Sequence, residues 1–349
     1  MLLKLKLNLF FYWLKRRIRR IRRKEKEKKR FYFKKMSFFD DASDDGSGAE
    51  ETRVGGGGVS VNQEMQAEMN ADGSNYVRPE IPMFAPGNGI YPFRSFTFSK
   101  INDIYCAKKS TVLDICCGPG TNIRRWSPGS VRYMVLADPS RDALLTAIRT
   151  YNESNNNFPA TPVQVDCFAP RADVFAPVLT PDICFDYVLC TSLAALRAFA
   201  SHDDAVAFLR NATARIRPGG NFAFFFPNAD IIRKMGTPHF TNSACMVAYN
   251  QNKKKGFGVE CTVAIADRDG RAIPDAEGFL IEPELLIQTA ERDCGMKLFE
   301  VVSFQNNYDD FRKMFKDIPI TPDEVCAMSL FSTFIFKKRP PETKFHDQL

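Results

Sequence analysis

The sequence has little with which to hold a metal ion. Its three histidines and ten cysteines contain no CxxC pair and no cysteine–histidine cluster at the spacing of a zinc site. Cys116 and Cys117 are adjacent and do not form a simple structural pair. Scattered cysteines of this kind are typical of buried thiols in a reducing compartment, so we expect neither a metal site nor a disulfide framework.

The sequence also lacks a run that could span a membrane. The apolar stretch 2–14 is interrupted by Lys4 and Lys6, is too short to cross a bilayer, and precedes its basic run, unlike a signal peptide. It fits an interfacial anchor, a nuclear-targeting or RNA-tethering arm, or sequence upstream of a start at Met36. We favour the last or a solvated tail, because the acidic sequence after Met36 resembles an ordinary disordered N-terminus.

Positive charge is scarce outside this N-terminal arm. Residues 1–35 contain 16 lysines and arginines and two glutamates, whereas the other 314 residues contain 32 basic and 39 acidic side chains. The chain as a whole carries +7, but the body carries about −7. This excludes a globally basic domain that coats nucleic acid, so any anionic partner must be met by local patches.

Composition divides the chain into four parts. Residues 1–35 are the basic arm, and residues 36–90, acidic and rich in glycine, are predicted to be a disordered leader. We expect the folded domain over 91–339 and a short tail over 340–349. With 31 phenylalanines in the chain, the domain can fill a sizeable core.

From Thr111 onward, short β-rich runs alternate with helical patterns, which predicts βαβ units and a largely parallel sheet. Helices are expected at 140–153, with Ser140 as the N-cap, and after His202, ended by Pro218-Gly219-Gly220. Two late strands indicate an antiparallel addition at the sheet edge. The predicted strands are 111–117, 132–138, 162–168, 185–192, 221–227, 259–267, 297–304 and 329–338.

The most informative stretch is VLDICCGPGT, in which a strand ends at Asp114 and passes into Gly118-Pro119-Gly120. Glycines let the backbone approach a ligand closely, and such folds bind ligands at the C-terminal ends of parallel strands. Asp138 ends the second strand, where a carboxylate can bind both hydroxyls of a ribose. Asp166 ends the third strand, where it can meet an adenine amino group.

The glycine loop does not fit a diphosphate. Position 123 is isoleucine, no third glycine follows, and no Walker-type lysine is present. A ribose carboxylate without a diphosphate cradle fits an adenosine ligand that lacks phosphates. The predicted cofactor is therefore S-adenosylmethionine.

Residues 111–138 resemble the cofactor-binding half of class I S-adenosylmethionine-dependent methyltransferases. The similarity narrows to the mRNA cap guanine-N7 methyltransferases, including the methyltransferase part of poxvirus-type capping enzymes, and spans 91–339. It is carried by Leu209-Arg210-Asn211, by Pro218-Gly219-Gly220, and by Pro227-Asn228 with Ile232-Arg233. The resemblance implies an α/β, Rossmann-like fold: a mostly parallel seven-stranded sheet with an antiparallel edge strand and helices on both faces.

The resemblance further implies methyl transfer to N7 of the cap guanine, with the 5′ end of capped mRNA as the partner. Guanine N7 carries no proton, so the transfer needs placement and electrostatics rather than a general base, and we expect no catalytic side chain. The three histidines accordingly sit in no acid–base constellation. The expected cofactor-binding residues are Asp114, Cys116, Gly118, Gly120, Asp138, Asp166, Cys167 and Thr191.

For the cap, the resemblance implies an aromatic slot at Phe331 and a carboxylate at position 278, where this chain has glycine. The family's glutamine and His-Tyr pair are replaced by Thr191 and by Ala195-Leu196, and its Asn-Trp-x-Lys entrance motif has only Arg94 or Lys100 in the vicinity. Cofactor binding is therefore better supported than cap recognition. The expected substrate contacts are Arg124, Arg125, Asn228, Glu277, Glu282 and Phe331.

Three functions stay open. A cap guanine-N7 methyltransferase is favoured. A class I methyltransferase with another RNA or a small molecule as acceptor is supported by the missing His-Tyr pair. A noncatalytic partner subunit of a capping complex is disfavoured, because a scaffold does not need a ribose carboxylate. We expect an intracellular protein, in nucleus or cytoplasm, or in a virion if it is viral.

Overall fold

The computed structural model describes residues 79–340, except 128, 155, 172, 254, 274 and 275. The basic arm, the proposed start at Met36, most of the leader and the tail from 341 lie outside the described residues. Within the described part, no helix combines the length and the apolar character needed to cross a membrane.

Eleven strands are formed by the described residues, in two sheets. The strands are β1 (Ser110–Ile115), β2 (Val131–Asp138), β3 (Ala160–Gln164), β4 (Phe185–Cys190), β5 (Ile216–Pro227), β6 (His239–Thr241), β7 (Cys245–Tyr249), β8 (Val259–Ile265), β9 (Glu277–Leu280), β10 (Met296–Ser303) and β11 (Phe331–Lys338). The larger sheet has seven strands in the order β10-β11-β5-β4-β1-β2-β3, and the smaller has the order β6-β7-β8-β9.

Seven α-helices and two short 3₁₀ helices, Ile123–Arg125 and Leu193–Phe199, connect the strands in the described part of the chain. The α-helices are α1 (Ile90–Tyr105), α2 (Arg141–Glu153), α3 (His202–Thr213), α4 (Ala229–Lys234), α5 (Pro283–Asp293), α6 (Gln305–Met314) and α7 (Pro322–Ser329). Helices α3 and α5 pack together, as do α1, α6 and α7.

The seven-stranded sheet confirms the predicted architecture. Strands β1 to β5 pair in parallel, whereas β11 runs antiparallel to both β5 and β10, so the antiparallel addition sits at one edge. The order crosses from β1 to β4 in the middle of the sheet. Folds of this kind bind ligands at the C-terminal ends of the strands beside such a crossing.

Two sequence predictions about chain turns had different outcomes. The N-cap of α2 is confirmed, since the Ser140 hydroxyl oxygen accepts a hydrogen bond of 3.2 Å from the amide of Ala143. The predicted C-terminal end of α3, at Pro218-Gly219-Gly220, is wrong. The helix ends at Thr213, and Pro218-Gly219-Gly220 lies inside β5 instead, where it precedes the phenylalanine-rich part of that strand.

The centre of the core is the antiparallel pair β5 and β11. Residues 222–227 of β5 are all buried, because this strand is covered on both faces. The Phe225 ring lies 5.1 Å from that of Phe98 in α1 and 4.7 Å from that of Phe331 in β11, centroid to centroid. These aromatic contacts join α1 to the sheet beside the C-terminal edge, where the candidate site lies.

The four-stranded antiparallel sheet was not predicted, apart from the run that becomes β8. The chain before α1 also pairs with it: the amide of Phe84 donates to the carbonyl of Gly270 (2.7 Å) and that of Gly87 to the carbonyl of Asp267 (2.9 Å). Phe84 is buried. Residues 84–87, predicted as part of the leader, therefore pack against the β8–β9 connection.

Candidate cofactor and acceptor site

Three predicted side chains meet at one edge of the large sheet. Strands β4, β1 and β2 are adjacent and parallel, so their C-terminal ends bring Thr191, Asp114 and Asp138 to the same side. All three residues are buried. Asp166 and Cys167 follow the end of β3, the outermost strand on this side.

The glycine loop after β1 has a left-handed backbone at three positions, with φ values of +54° at Cys116, +54° at Gly118 and +78° at Gly120. A Cβ atom on Gly118 would meet no heavy atom of the described residues within 4 Å, whereas one on Gly120 would lie 3.0 Å from Cα of Ala147 in α2. Gly118 therefore borders open space, and Gly120 lets the loop pack against α2.

Asp138 joins the end of β2 to this loop. Its Oδ2 accepts a hydrogen bond from the Gly118 amide (2.8 Å), and its Oδ1 accepts one from the Ser140 amide (2.9 Å). A carboxylate offers about four acceptor positions. Each oxygen therefore keeps a lone pair for a ribose hydroxyl, so the residues present fit the nucleoside part of S-adenosylmethionine.

A buried polar cluster lies beneath the loop. The Nδ2 of Asn122 donates to both carboxylate oxygens of Asp114, each at 3.1 Å, and to the Thr191 hydroxyl at 2.9 Å. The Arg125 guanidinium donates to the Oδ1 of Asn122. Burial raises the pKa of Asp114 to about 7, against the opposing effects of the Asn122 hydrogen bond and the Arg125 charge.

Asn122 was not among the predicted site residues, although it connects the ends of β1 and β4. The only signal in the sequence is its position two residues after Gly120, and an asparagine there also fits an exposed turn. Its role depends on Thr191, which is far away along the chain. Such a contact becomes visible only in the folded protein.

Arg94 of α1 reaches the same cluster. Its guanidinium donates to the carbonyl of Thr191 (3.2 Å) and lies over the rings of Phe98 and Phe225, 5.6 and 5.7 Å from their centroids. Its Nε is buried without a hydrogen-bond partner among the described residues. Desolvation and the nearby Arg125 charge lower the pKa of Arg94 to about 9. Lys100, the other predicted neighbour, instead pairs with Asp310 at 2.7 Å.

In the loop after β3, the side chain of Cys167 is buried, so a ligand could contact only the backbone of this residue. Cys167 is fully buried, and Nδ2 of Asn211 in α3 donates to the carbonyls of Cys167 (3.0 Å) and Ala169 (2.8 Å). Asp166 is exposed, and its Oδ1 accepts from the Phe168 amide at 2.9 Å. Asp166 is thus available at the surface of the crevice, while any ligand contact of Cys167 is limited to its main chain.

The Cys116 side chain points into the protein. Interaction with the thiols of Cys167 and Cys190, together with burial, raises the pKa of the Cys116 thiol well above the usual value. Among the described residues, no three histidine, cysteine, aspartate or glutamate side chains form a group that could hold a metal ion. The thiols therefore fill the space under the loop as small apolar side chains.

The two arginines predicted as substrate contacts have different surroundings. Arg124 forms an ion pair with Glu153 at the end of α2, with 3.0 Å between Nη2 and Oε2, and stays partly exposed. Arg125 is only 2% exposed, and its guanidinium lies 4.9 Å from the centroid of the Phe98 ring. Both are predicted as substrate contacts, but Arg125 turns inward because it completes the Asp114–Asn122 cluster.

Two further predicted substrate residues have structural partners. Phe331 is fully buried and stacks on Phe225 in the core, so it lines no open slot. Asn228 caps α4: its Oδ1 accepts from the amides of Asp230 and Ile231, and its Nδ2 donates to the Ser332 hydroxyl at 3.0 Å.

The carboxylates predicted to bind guanine either have protein partners or lie on the other face of their strand. The Oε1 of Glu282 accepts from Nη2 of Arg233 (3.0 Å) and its Oε2 from the Gly256 amide (3.1 Å). A Cβ atom on Gly278 would lie 2.4 Å from Cβ of Leu196, so no carboxylate fits at that position. Glu277 precedes Gly278 in β9, and adjacent strand residues project to opposite faces. Its side chain therefore does not replace one at 278.

Comparison with known proteins gives a family. Residues 97–339 match the mRNA (guanine-N(7))-methyltransferase domain. An mRNA cap guanine-N(7) methyltransferase of Caenorhabditis briggsae is 29% identical over 152 residues, which cover 41% of this chain and 39% of the relative. One of Cryptococcus neoformans var. neoformans serotype D (strain B-3501A) is 23% identical over 288 residues, covering 75% and 40% respectively. The chain thus spans about two fifths of the length of these relatives.

Among solved structures, the CcbJ methyltransferase from Streptomyces caelestis is similar with a TM-score of 0.45 and 14% sequence identity. The similarity covers 78% of this chain and 96% of that protein.

Proposed function

Since the chain belongs to the mRNA (guanine-N(7))-methyltransferase family, we propose that it transfers a methyl group from S-adenosylmethionine to N7 of the guanine cap of mRNA. The observation that carries this proposal is the contact between the end of β2 and the glycine loop, inside the matched region. There, Asp138 holds the open glycine loop through the Gly118 amide and keeps acceptor positions for a ribose.

Each part of the cofactor has a counterpart at this edge. We assign the ribose hydroxyls to Asp138, the methionine part to the backbone of Cys116 and Gly118, and the adenine to Asp166 and the main chain of Cys167. When bound, the cofactor supplies a methyl group on a sulfonium. Gly120 and Thr191 support the site indirectly, through the packing of the loop on α2 and the hydrogen bond to Asn122.

The protein's contribution to the reaction is placement. Guanine N7 has no proton to remove, so no side chain acts as a base, and the rate depends on alignment and electrostatics. The Asp114–Asn122–Thr191 cluster fixes the ends of β1 and β4 relative to each other. Arg94 and Arg125 balance the carboxylates of Asp114 and Asp138 at this edge, so the cluster adds little net charge to the site.

A second candidate, transfer to another acceptor, is favoured by one specific contact. The family resemblance implies a His-Tyr pair and a carboxylate for guanine, but Ala195 and Leu196 are fully buried and Leu196 packs closely on Gly278. Leu196, in place of part of the His-Tyr pair, and Gly278, in place of the carboxylate, are in contact. The two replacements therefore belong to one altered acceptor region. A different RNA position or a small molecule would then accept the methyl group.

The test offers labelled S-adenosylmethionine with GpppG-capped RNA, the same RNA without a cap, and free GTP. The main proposal expects label only in capped RNA and guanosine triphosphate substrates, located at guanine N7. Label in uncapped RNA would establish the second candidate. No transfer to any of them, with stimulation of another methyltransferase, would identify a noncatalytic subunit of a capping complex.

The remaining assignments are part of the same proposal. The partner is the 5′ end of capped mRNA, handled by a domain over 91–339 that follows the basic arm and the leader and precedes the tail. We also propose a partner subunit in a capping complex. The protein would act where capped transcripts occur, in the nucleus or the cytoplasm.

A further inference from the structure

One stretch of the acidic body is distinctly basic. Residues 228–258 contain five lysines and arginines and one aspartate, a net charge of +4. Arg233 is neutralised by Glu282. Lys234, Lys253 and Lys255 are exposed, and none of them forms an ion pair with a carboxylate of the described residues. Three cations in this stretch are therefore available to an external anion.

Lys253 and Lys255 lie in the loop between β7 and β8, which hydrogen bonds hold at both ends. The Gly258 amide donates to the carbonyl of Phe199 (2.8 Å), and the Gly256 amide donates to Glu282 (3.1 Å). At the other end, the Asn250 amide donates to the Glu260 carbonyl (2.9 Å). Backbone hydrogen bonds thus fix the loop at both ends, which limits the entropy lost when its lysines bind a ligand.

These contacts place the lysines on the acceptor side of the candidate site. Phe199 ends the 3₁₀ helix that follows β4, and α4, which carries Lys234, follows β5. The C-terminal ends of β4 and β5 share an edge with the glycine loop after β1, but lie away from β2 and β3, where we assign the nucleoside. A substrate reaching the methyl group from this side would pass the three lysines.

We propose that Lys234, Lys253 and Lys255 bind phosphates of the RNA chain downstream of the cap. This inference rests on the proposed function, which supplies a polyanion attached to the acceptor base. Lysine ammonium groups contact phosphates as point charges without reading sequence. The lysines therefore bind capped RNA more tightly than a cap dinucleotide, independently of the bases.

The test compares two variants of the full chain. One combines Lys253→Ala with Lys255→Ala. The matched control combines Lys108→Ala with Lys297→Ala, which removes two exposed lysines at the opposite, N-terminal edge of the sheet. Both variants keep the basic arm, so its contribution to RNA binding is common to them.

With a capped RNA of roughly 20 nucleotides, longer than a typical single-strand site, we expect the KM of the Lys253/Lys255 variant to rise about tenfold at low salt. The logarithm of the RNA association constant should also depend less steeply on the logarithm of the salt concentration. The slope should become shallower by about 1.4, since the variant loses two phosphate contacts and each contributes about 0.7 on single strands. Turnover of GpppG and the KM of the control variant should stay unchanged.

A crosslink locates the contact directly. RNA with 4-thiouridine in the nucleotides next to the cap should crosslink to the peptide that spans 250–258 and not to the peptide that contains Lys108. An equal loss of RNA affinity in the control variant, or an equal loss of GpppG turnover and RNA turnover, would overturn the inference. If the wild type methylates no guanosine substrate, the proposed function fails instead, and the crosslink still reports whether RNA contacts the loop.

Discussion

The two halves of the site edge differ in how their polar groups are used. At the β1–β2 half, Asp138 retains acceptor positions and Gly118 borders open space. At the β4–β5 half, the predicted cap residues Glu282 and Asn228 are occupied by an ion pair and a helix cap. The β1–β2 half, which we assign to the cofactor and call the cofactor half, thus keeps groups open to a ligand. In our proposal the β4–β5 half, the acceptor half, contacts its substrate through other groups, such as the lysines of the β7–β8 loop.

The largest expected effect concerns Asp114, under the cofactor half. Its folded pKa of about 7 lies above the ordinary value of 3.8, so folded protein holds a proton that the unfolded chain releases between these pH values. Its contribution to the free energy of unfolding therefore falls as pH rises through this window, by up to about 4 kcal/mol, and is level above it.

Asp114→Asn removes this dependence. Urea unfolding near pH 5 and near pH 8 should show the variant gaining stability relative to wild type at the higher pH. If the free energies of unfolding of the two proteins differ by the same amount at both pH values, Asp114 has its ordinary pKa. Its carboxyl group would then be less desolvated than its burial indicates.

Substitutions at the two loop glycines should have different effects, one mainly on stability and the other mainly on cofactor affinity. Gly120→Ala places Cβ 3.0 Å from Cα of Ala147, and with a left-handed φ it should lower stability by about 2 to 4 kcal/mol. Gly118→Ala should cost about 1 kcal/mol in stability but weaken S-adenosylmethionine binding about tenfold or more, because its methyl group enters the open space. Thermal unfolding and titration calorimetry measure the two effects. Equal cofactor affinity in Gly118→Ala and wild type would place the ligand elsewhere.

Asp138→Ala should weaken S-adenosylmethionine binding by about 30-fold, or 2 kcal/mol, because it removes charge-assisted hydrogen bonds to the ribose and the anchor of the Gly118 amide. Calorimetric titration gives the affinity. Asp142→Ala, which removes an exposed carboxylate in the first turn of α2, is the control and should bind as wild type does. Unchanged affinity in Asp138→Ala would mean that the cofactor site is assigned wrongly.

The smallest effect concerns the acceptor half. Glu282→Gln should lower stability by about 1 to 2 kcal/mol, because it leaves the Arg233 charge partly buried beside a neutral amide. The KM for GpppG should change less than twofold, since both oxygens of Glu282 already have protein partners. A large rise in KM without loss of stability would show instead that Glu282 binds guanine and that the two halves are organised alike.

This contrast also explains what the sequence could predict. The parallel sheet, the Ser140 cap, and the positions of Asp114 and Asp138 follow from short contiguous patterns, and the structure has them at the expected strand ends. Asn122 and Arg94 acquire their roles from Thr191, which is distant in sequence. The inward turn of Arg125 depends in the same way on tertiary contacts.

The small antiparallel sheet was missed for a related reason. Strands β6 and β9 have only three and four residues, too short to show a clear alternation of apolar and polar side chains. The packing of Leu196 on Gly278 depends on this sheet and was equally hidden. Local patterns therefore define the strand ends that carry Asp114 and Asp138, whereas the Asn122 cluster and the packing around Gly278 depend on long-range contacts.

The hydrogen bond between Asp138 and the Gly118 amide has a kinetic consequence. The loop already has its left-handed turn and its anchor before any ligand arrives. Association then requires no folding of the loop and little loss of its main-chain entropy, which favours fast binding of a ligand at this position.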